Sequence, residues 1–215
     1  MLDRHDRLRA ARLYLVCEDQ PDEFLRAVLG AGVDIIQLRM KNADDGEIVA
    51  AGRRFARATA EHGALFILND RPDLVEAAGA DGVHVGQDDI PVSEARDAVG
   101  SDRIVGLSTH SPEQIDGAAH VPVDYIGVGP VHETPTKPGR PAVGLALVRY
   151  AGEHATVPFF AIGGIAPVNV NAVREAGARR IAVVRALTEA ADPARIARYL
   201  RRSISAGGEV RVGAA

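Results

Sequence analysis

Residues Leu65-Phe66-Ile67-Leu68-Asn69-Asp70 carry the pattern that decides the fold: an apolar run that ends at once in an amide and a carboxylate. Five other apolar runs are likewise followed by polar, charged or glycine residues: Val33–Ile36 before Gln37–Lys41, Gly82–Val85 before Gly86–Asp89, Ile104–Leu107 before Ser108–His110, Tyr125–Val128 before a long loop, and Phe159–Ile162 before Gly163-Gly164. Polar residues at the carboxyl ends of successive parallel strands are the layout of a (β/α)8 barrel enzyme.

Two further runs, Leu13–Cys17 and Arg180–Val184, raise the predicted strands to eight, and helical patterns lie between them. The runs are continuous rather than alternating, which is typical of strands that are buried on both faces. We therefore predict an α/β protein with a single (β/α)8 TIM barrel domain over residues 1–205. The glycine- and alanine-rich residues 206–215 are expected to form a flexible tail.

A doubly wound open sheet is the rival architecture. It would need a glycine-rich fingerprint after the first strand. Residues Cys17–Asp22, which follow that strand, contain no glycine, so the barrel is favoured. The length of 215 residues also suits one compact barrel, since this fold typically takes about 250 residues and tolerates about 200.

The composition excludes several classes of protein. A hydrophobic content of 47% and a charged content of 25% are ordinary for a soluble globular domain, and a net charge of −4 argues against a nucleic-acid partner. We expect no membrane span, because no apolar run reaches 18 residues. Residues 1–7 lack the apolar segment of a signal peptide, and the one cysteine, Cys17, cannot form an internal disulfide. Together these features predict a cytoplasmic location.

Gln37, Arg39 and Lys41 follow the second strand at alternate positions, which places them on one face. Arginine supplies a planar fork and lysine a point charge, a combination that suits phosphate oxygens. The alternative is a solvated strand end with ordinary surface charges. The strongly apolar remainder of this strand favours the anion site.

Asp70 and Asp89 lie at the ends of strands three and four, which are neighbours around a barrel. Carboxylates from adjacent strands can share Mg²⁺, with waters and substrate phosphate completing the shell. Asp88 would point the other way if the strand geometry persists, so Asp89 is preferred. The alternative is that Asp70 caps the helix that starts near Pro72.

A second group of residues predicts another anion site. The loop over residues 129–140 is the longest connection, and its Thr134, Thr136 and Lys137 suit an anionic ligand; a solvent-exposed excursion is the alternative. The residues after strands seven and eight often form a phosphate site from backbone N–H groups in such barrels. The sequence thus predicts two anion sites, a metal-assisted one near strands two to five and a metal-free one near strands six to eight. Two such sites indicate an enzyme that joins, or chooses between, two phosphorylated small molecules.

Other residues give weaker indications of function. His84 is expected to be a barrel-interior residue with satisfied hydrogen bonds, and the run of Arg4, Arg7, Arg9 and Arg12 a solvated helix face. His110 receives no role. The chain has no serine elbow, P-loop or paired Cys/His metal spacing.

As a set, the motifs resemble those of the thiamine phosphate synthase family, in the same order and from residue 13 to about 188. They are Gln37-Leu38-Arg39-x-Lys41, Asn69-Asp70, His84-Val85-Gly86-Gln87-x-Asp89, Ser108-Thr109-His110, Gly129-Pro130 with Thr134-x-Thr136-Lys137, and Ile162-Gly163-Gly164-Ile165. Each motif is weak alone, but the set is specific. One departure is Met40, where the family usually has an acidic or polar residue. By strand alternation Met40 points away from Arg39 and Lys41, so the anion site should survive.

The resemblance implies a reaction: 4-amino-5-hydroxymethyl-2-methylpyrimidine diphosphate and 4-methyl-5-(2-phosphoethyl)thiazole give thiamine phosphate and pyrophosphate. It implies Mg²⁺ on Asp70 and Asp89, with Arg39, Lys41 and Lys137 stabilising the leaving pyrophosphate. Pyrimidine contacts would come from Gln37, Asn69 and Ser108. The implied thiazole phosphate contacts are Thr134, Thr136, Gly164, Val184 and Arg185, and the substrate-binding set also includes Leu38, Met40 and Pro135.

Two rival functions remain open. One is a thiazole tautomerase of the same superfamily, which needs no pyrophosphate clamp, and the other is a non-catalytic phosphate-binding barrel. A homodimer is a further expectation, with small-molecule substrates and no nucleic acid or membrane as partners.

Overall fold

Eight parallel strands close into one barrel in the order of the chain, which confirms the predicted (β/α)8 fold. The computed structural model describes residues 2–133 and 141–206. The strands are β1 Leu13–Cys17, β2 Ile35–Leu38, β3 Leu65–Asn69, β4 Gly82–Val85, β5 Ile104–Thr109, β6 Tyr125–Val128, β7 Phe159–Ile162 and β8 Ile181–Val183. Among the described residues, none of the helices has the length and apolarity to cross a membrane.

One helix precedes the first strand, and the others follow the strands around the outside of the barrel. They are α1 Arg4–Ala10, α2 Asp22–Gly30, α3 Asp45–Glu61, α4 Val75–Ala78, α5 Val92–Val99, α6 Pro112–Gly117, α7 Gly144–His154, α8 Val170–Glu175, α9 Arg185–Thr188 and α10 Pro193–Ser205. The predicted helix from Pro72 begins instead as a 3₁₀ turn over Pro72–Leu74 that leads into α4. Residues 207–215 of the expected tail lie outside the described residues.

The longest helix, α3, shows how sequence pattern becomes packing. Asp44 and Glu47 form a capping box at its start, which satisfies backbone N–H groups that the helix itself leaves unpaired. Its apolar residues recur at helical spacing and face the sheet, and Phe55 is fully buried. The Phe55 ring packs on that of Phe66, with centroids 5.8 Å apart.

Alternate residues of each strand face either the helices or the barrel interior. The interior cluster combines residues of seven strands with α1: Leu8, Ala11, Tyr14, Val16, Ile35, Leu65, Ile67, Ile104, Tyr125, Phe160 and Ala182. These side chains fill the amino-terminal half of the barrel. They leave the carboxyl-terminal half for the site.

The helix α1 covers the amino-terminal end of the barrel, so its basic run is not simply a solvated face. Leu8 is only 2% exposed and joins the interior cluster. Arg4 Nε lies 2.8 Å and Arg7 Nη2 3.3 Å from Asp81 Oδ1, and Arg7 Nη1 donates to the carbonyl oxygen of Ala64. The expectation was wrong for these two arginines because the helix packs against the barrel end.

Three aspartates tie neighbouring strands together at that end. Asp34, Asp81 and Asp124 stand directly before β2, β4 and β6. Each accepts the backbone N–H of a residue at the start of the preceding strand: Leu13 at 2.9 Å, Phe66 at 3.0 Å and Val105 at 2.7 Å. This repeated carboxylate fixes the register of three strand pairs.

We expect Asp81→Ala to lower the free energy of unfolding by about 2–3 kcal/mol, because it leaves the buried Phe66 N–H and two arginines without their acceptor. Urea unfolding followed by circular dichroism measures the change. Asp102→Ala removes an exposed aspartate between α5 and β5 and should shift the value by less than about 0.5 kcal/mol. Equal effects of the two variants would contradict the assigned role of Asp81.

Candidate active site

A cavity of about 370 Å³ opens at the carboxyl ends of the strands and receives residues from all eight of them. Ten predicted site residues line it: Gln37, Arg39, Lys41, Asn69, Asp70, Asp89, Ser108, Gly164, Val184 and Arg185. The side chain of Leu38 is instead buried in the outer core, and Met40 packs against that core. Thr134, Pro135, Thr136, Lys137 and Arg140 lie outside the described residues.

The end of β2 supplies the cationic side of the cavity. Arg39 continues the strand, since its backbone N–H donates to the carbonyl oxygen of Cys17 at 2.8 Å. Within residues 2–133 and 141–206, the Arg39 guanidinium makes no hydrogen bond or ion pair, so it is available to a ligand. Lys41 is half-exposed, and its Nζ lies 3.3 Å from Asp70 Oδ2.

Asp70 interacts with Asp89 as well as with Lys41. Burial raises the pKa of the Asp70 carboxyl, and the hydrogen bond and charge of Asp89 raise it further, while Lys41 opposes them. Asp89 Oδ2 also accepts the backbone N–H of Gly86 at 2.7 Å, which fixes its direction. Two adjacent carboxylates repel each other when both are ionised, and a bound cation would relieve that repulsion.

The backbone of Asp70 is left-handed, with φ of 62°, the one such non-glycine residue in the described part of the chain. Aspartate tolerates this conformation better than most residues, yet it costs of order 1–3 kcal/mol. The alternative cap role for Asp70 is wrong. The 3₁₀ turn at Pro72 begins after Arg71 and has no side-chain cap.

The carboxylate pair fits Mg²⁺. This ion is usually held in proteins by one or two carboxylates, with waters and substrate phosphate completing its shell. In the described ranges, no group of three or more His, Cys, Asp or Glu side chains could hold a metal. A dedicated structural zinc site, which takes four protein ligands, is therefore not built from these residues.

A chain of hydrogen bonds crosses the floor of the cavity. Gln37 Nε2 donates to the hydroxyl oxygen of Tyr14 at 2.7 Å, and the Tyr14 and Tyr125 hydroxyls are 2.9 Å apart. His84 Nδ1 lies 3.0 Å from the Tyr125 hydroxyl, and His84 Nε2 lies 2.9 Å from Ser108 Oγ. The prediction that His84 is an interior residue with satisfied hydrogen bonds is confirmed.

Tyr14 and Tyr125, the two tyrosines of this hydrogen-bond chain, were not predicted as site residues. They occupy inward positions of β1 and β6, where a tyrosine among aliphatic residues indicates only core packing. Burial raises the pKa of both phenols, so both keep their protons. The Phe160 ring packs edge-on against both, at centroid distances of 5.3 Å and 5.6 Å.

Ser108 and His110 are held by neighbouring loops. The Gln87 side chain donates to the Ser108 carbonyl oxygen at 2.6 Å. The His110 ring is hydrogen-bonded to the carbonyl oxygen of Gly129, and its backbone N–H donates to Gln114 Oε1 at 2.7 Å. His110 lines the cavity, so it joins β5 to the start of the long loop within the site.

Where β7 ends, the backbone of Gly163 and Gly164 lies close to residues at the start of the long loop. Gly163 and Gly164 have φ of 107° and 62°. A Cβ on Gly163 would lie 2.5 Å from Pro130 Cα, and one on Gly164 would lie 2.7 Å from His132 Cβ. Only glycine fits both the conformation and the space.

Both ends of the long loop are anchored here. The N–H of Val131 donates to the carbonyl oxygen of Ile162 at 2.8 Å, and that of His132 donates to the carbonyl oxygen of Gly163 at 3.0 Å. After the loop, the backbone N–H of Val143 donates to the carbonyl oxygen of Pro130 at 2.8 Å. The carbonyl oxygen of Glu133 is also close to Gly164, at 3.1 Å from the position that a Cβ on Gly164 would take.

The short helix α9 starts immediately after β8, and Val184, Arg185 and Ala186 line the cavity beside Gly163–Ala166. The first N–H groups of a helix have no partner within it. Together with the exposed guanidinium of Arg185, they form surroundings that suit a phosphate group. Arg185 also pairs loosely with Glu189 at 3.9 Å.

Comparisons with known proteins identify the family. The family model described as thiamine monophosphate synthase matches residues 13–187. A thiamine-phosphate synthase of Acidothermus cellulolyticus is 52% identical over 197 residues, which cover 88% of this chain and 93% of that protein. One of Thermus thermophilus is 49% identical, covering 90% of this chain and 97% of that protein. The chain spans 57% of the length of a longer relative from Nostoc punctiforme, at 47% identity and 92% coverage of this chain.

Solved structures give the same result. A thiamine phosphate pyrophosphorylase from Pyrococcus furiosus superposes with a TM-score of 0.84 at 32% identity, covering 94% of this chain and 98% of that one. A 3-hexulose-6-phosphate synthase, at a TM-score of 0.62 and 23% identity over 89% of this chain and 99% of the other, shares the fold alone. The family match over most of the barrel and the identity to full-length relatives show that this chain belongs to the thiamine monophosphate synthase family.

Proposed function

We propose that the chain carries out the thiamine-phosphate synthase reaction by holding a magnesium-bound pyrophosphate on one side of the cavity and a second phosphate on the other. The substrates are the pyrimidine diphosphate and thiazole phosphate that the family resemblance implies. One observation carries the proposal. A carboxylate pair with two cations and a glycine-lined phosphate surface face one cavity.

Arg39 and Lys41 bind the pyrophosphate of the pyrimidine substrate. As the bond from methylene carbon to oxygen breaks, its electron pair goes to the pyrophosphate and negative charge builds there. Charges that are already in position stabilise this state without reorganising, which is usually the largest catalytic contribution. Mg²⁺ on Asp70 and Asp89 would neutralise part of the same charge. Lys137, outside the described residues, is expected to add a third cation.

The thiazole nitrogen then donates its lone pair to the methylene carbon and becomes quaternary. Because the nitrogen is already unprotonated, no protein base is required, and no protein nucleophile takes part. Gln37, Asn69 and Ser108 hold the pyrimidine so that its methylene faces the thiazole. Gly164, Val184 and Arg185 hold the thiazole phosphate.

The decisive experiment supplies both substrates and Mg²⁺ and measures pyrophosphate release and thiamine phosphate formation. Equal amounts of both products are expected. Binding of thiazole phosphate without product would instead indicate a non-catalytic barrel. Isomerisation of the thiazole alone would indicate a tautomerase, which has no use for the cluster of Arg39, Lys41, Asp70 and Asp89.

We expect Gly164→Ala to raise the KM for thiazole phosphate by about tenfold or more, because the new Cβ meets His132 and a left-handed alanine costs of order 1 kcal/mol besides. The KM for the pyrimidine diphosphate should change little. Steady-state kinetics with each substrate varied in turn measures both values.

Gly63→Ala is the matched control. Gly63 has a similar φ of 66°, a Cβ added there would have nothing within 4 Å, and the residue lies between α3 and β3 away from the cavity. Alanine at position 63 would have the same backbone strain as alanine at position 164, but it would not make the close contact that the Cβ at position 164 makes with His132. A similar rise in KM for thiazole phosphate in both variants would show that Gly164 acts only through stability.

The cytoplasmic location and the homodimer remain predictions. Size-exclusion chromatography with light scattering tests the second of these.

A further inference from the structure

The hydrogen-bond chain on the cavity floor has a direction, and we propose that this direction makes the site select an aminopyrimidine over a pyrimidinone. The chain runs through Gln37, Tyr14, Tyr125, His84 and Ser108. The inference rests on the proposed function, because it takes the pyrimidine substrate as the molecule that meets Gln37 and Ser108.

The direction starts at Gln37. Its amide nitrogen can only donate, so the Tyr14 oxygen accepts at 2.7 Å. The hydrogen of Tyr14 must therefore go to another atom. Its other partner is the Tyr125 hydroxyl at 2.9 Å, so Tyr14 donates to Tyr125.

The same accounting continues across the floor. Tyr125 accepts from Tyr14 and sends its own hydrogen to His84 Nδ1 at 3.0 Å. A neutral imidazole that accepts at Nδ1 carries its hydrogen on Nε2. That hydrogen is donated to Ser108 Oγ at 2.9 Å, which leaves the Ser108 hydroxyl hydrogen for a ligand.

The two ends of the chain therefore present opposite groups to the cavity. Ser108 offers its hydroxyl hydrogen as a donor, and its oxygen keeps one lone pair. Within residues 2–133 and 141–206, Gln37 Oε1 has no hydrogen bond and is not among the buried atoms that lack a partner, so it offers an acceptor. A 4-aminopyrimidine carries a matching amino donor beside a ring-nitrogen acceptor. A pyrimidin-4-one carries the reverse, a carbonyl acceptor beside an N–H donor.

Reversal of the Gln37 end requires reversal of every bond along the chain. The amide of Gln37 would have to turn over, both hydroxyls would have to rotate, and His84 would have to change tautomer. Tyr14 and Tyr125 are almost fully buried, so a broken member would leave a polar group unpaired at a considerable cost. Tyr14, Tyr125 and His84 are thus positioning residues that keep the two ends opposite.

The test compares kcat/KM for pyrophosphate release from the amino substrate and from its 4-oxo analogue, with thiazole phosphate and Mg²⁺ present. The wild-type protein should prefer the amino compound by about a thousandfold or more. The oxo compound sets its carbonyl oxygen against Gln37 Oε1, and its ring N–H takes from the Ser108 hydroxyl hydrogen the acceptor that a bare ring nitrogen provides. Tyr125→Phe removes only the middle oxygen and lets each half turn independently. The preference should then fall at least about tenfold, mainly through a lower KM for the oxo analogue; an unchanged preference would overturn the inference.

Phe160→Leu is the control, because Phe160 packs on both tyrosines and contributes no hydrogen bond to the chain. It should keep the wild-type preference even if overall turnover falls. A loss of preference as large as that of Tyr125→Phe would assign the effect to packing and overturn the inference.

A second measurement needs no variant of Tyr125. Nitrogen-15 NMR of histidine-labelled wild-type protein, with His84→Gln identifying the signal, should show hydrogen on Nε2 and a bare Nδ1. Hydrogen on Nδ1 would overturn the inference. Failure of the wild-type protein to release pyrophosphate from the amino substrate would overturn the proposed function instead, and the NMR result would still decide the tautomer.

Discussion

Asp89→Asn is expected to lower kcat/KM for pyrophosphate release by about a thousandfold, comparable to the loss of a main electrostatic contributor at other active sites. Asparagine keeps the shape and can still accept the Gly86 N–H, so the loop geometry should survive. The loss then comes from the charge beside Asp70. Steady-state assays over a range of Mg²⁺ concentrations should also show a higher metal requirement.

Asp88→Asn removes the same charge one residue earlier, at a position that does not line the cavity. It should retain turnover within a few-fold of the wild-type protein. If Asp89→Asn kept wild-type activity and metal response, the metal assignment and the proposed clamp would both be wrong.

Gly82→Ala should strongly destabilise the protein, lowering the free energy of unfolding by about 3 kcal/mol or more, at the top of the range for overpacking. Gly82 pairs with Ile104 in the adjacent strand. A Cβ on Gly82 would lie 2.1 Å from the Ile104 carbonyl oxygen and 2.7 Å from the carbonyl carbon. Because these are backbone atoms, the strands themselves must separate. Thermal and urea unfolding measure the change.

Gly117→Ala provides the comparison, since Gly117 has helical dihedrals and a Cβ added there would have nothing within 4 Å. It should be neutral, or stabilising by up to about 1 kcal/mol. Equal stability of the two variants would show that β4 can shift without cost.

The barrel itself was predictable, because strands buried on both faces leave long apolar runs and each run here ends at polar residues. The edges of the elements differ by a few residues. For example, β8 is shorter than its apolar run, because Val184 leaves the strand to begin α9. A four-residue helix has too little periodicity to be read from a sequence.

Most of the cavity-lining residues could also be predicted from the sequence. The alternation of side chains along a strand was enough to place Gln37, Arg39 and Lys41 together. The same alternation explains why Leu38 and Met40 turn outward. The floor network was beyond reach, because it joins residues from β1, β2, β4, β5 and β6. Only closure of the barrel brings the hydroxyls of Tyr14 and Tyr125 together.

The filled amino-terminal half of the barrel restricts how small molecules can enter and leave the cavity. Below the tyrosines the interior is occupied by aliphatic side chains, and α1 seals the end with Leu8. As far as the described residues show, the route between cavity and solvent is at the carboxyl-terminal mouth. For the proposed reaction, both substrates would therefore enter, and both products leave, through the one mouth lined by Arg39, Lys41 and Arg185.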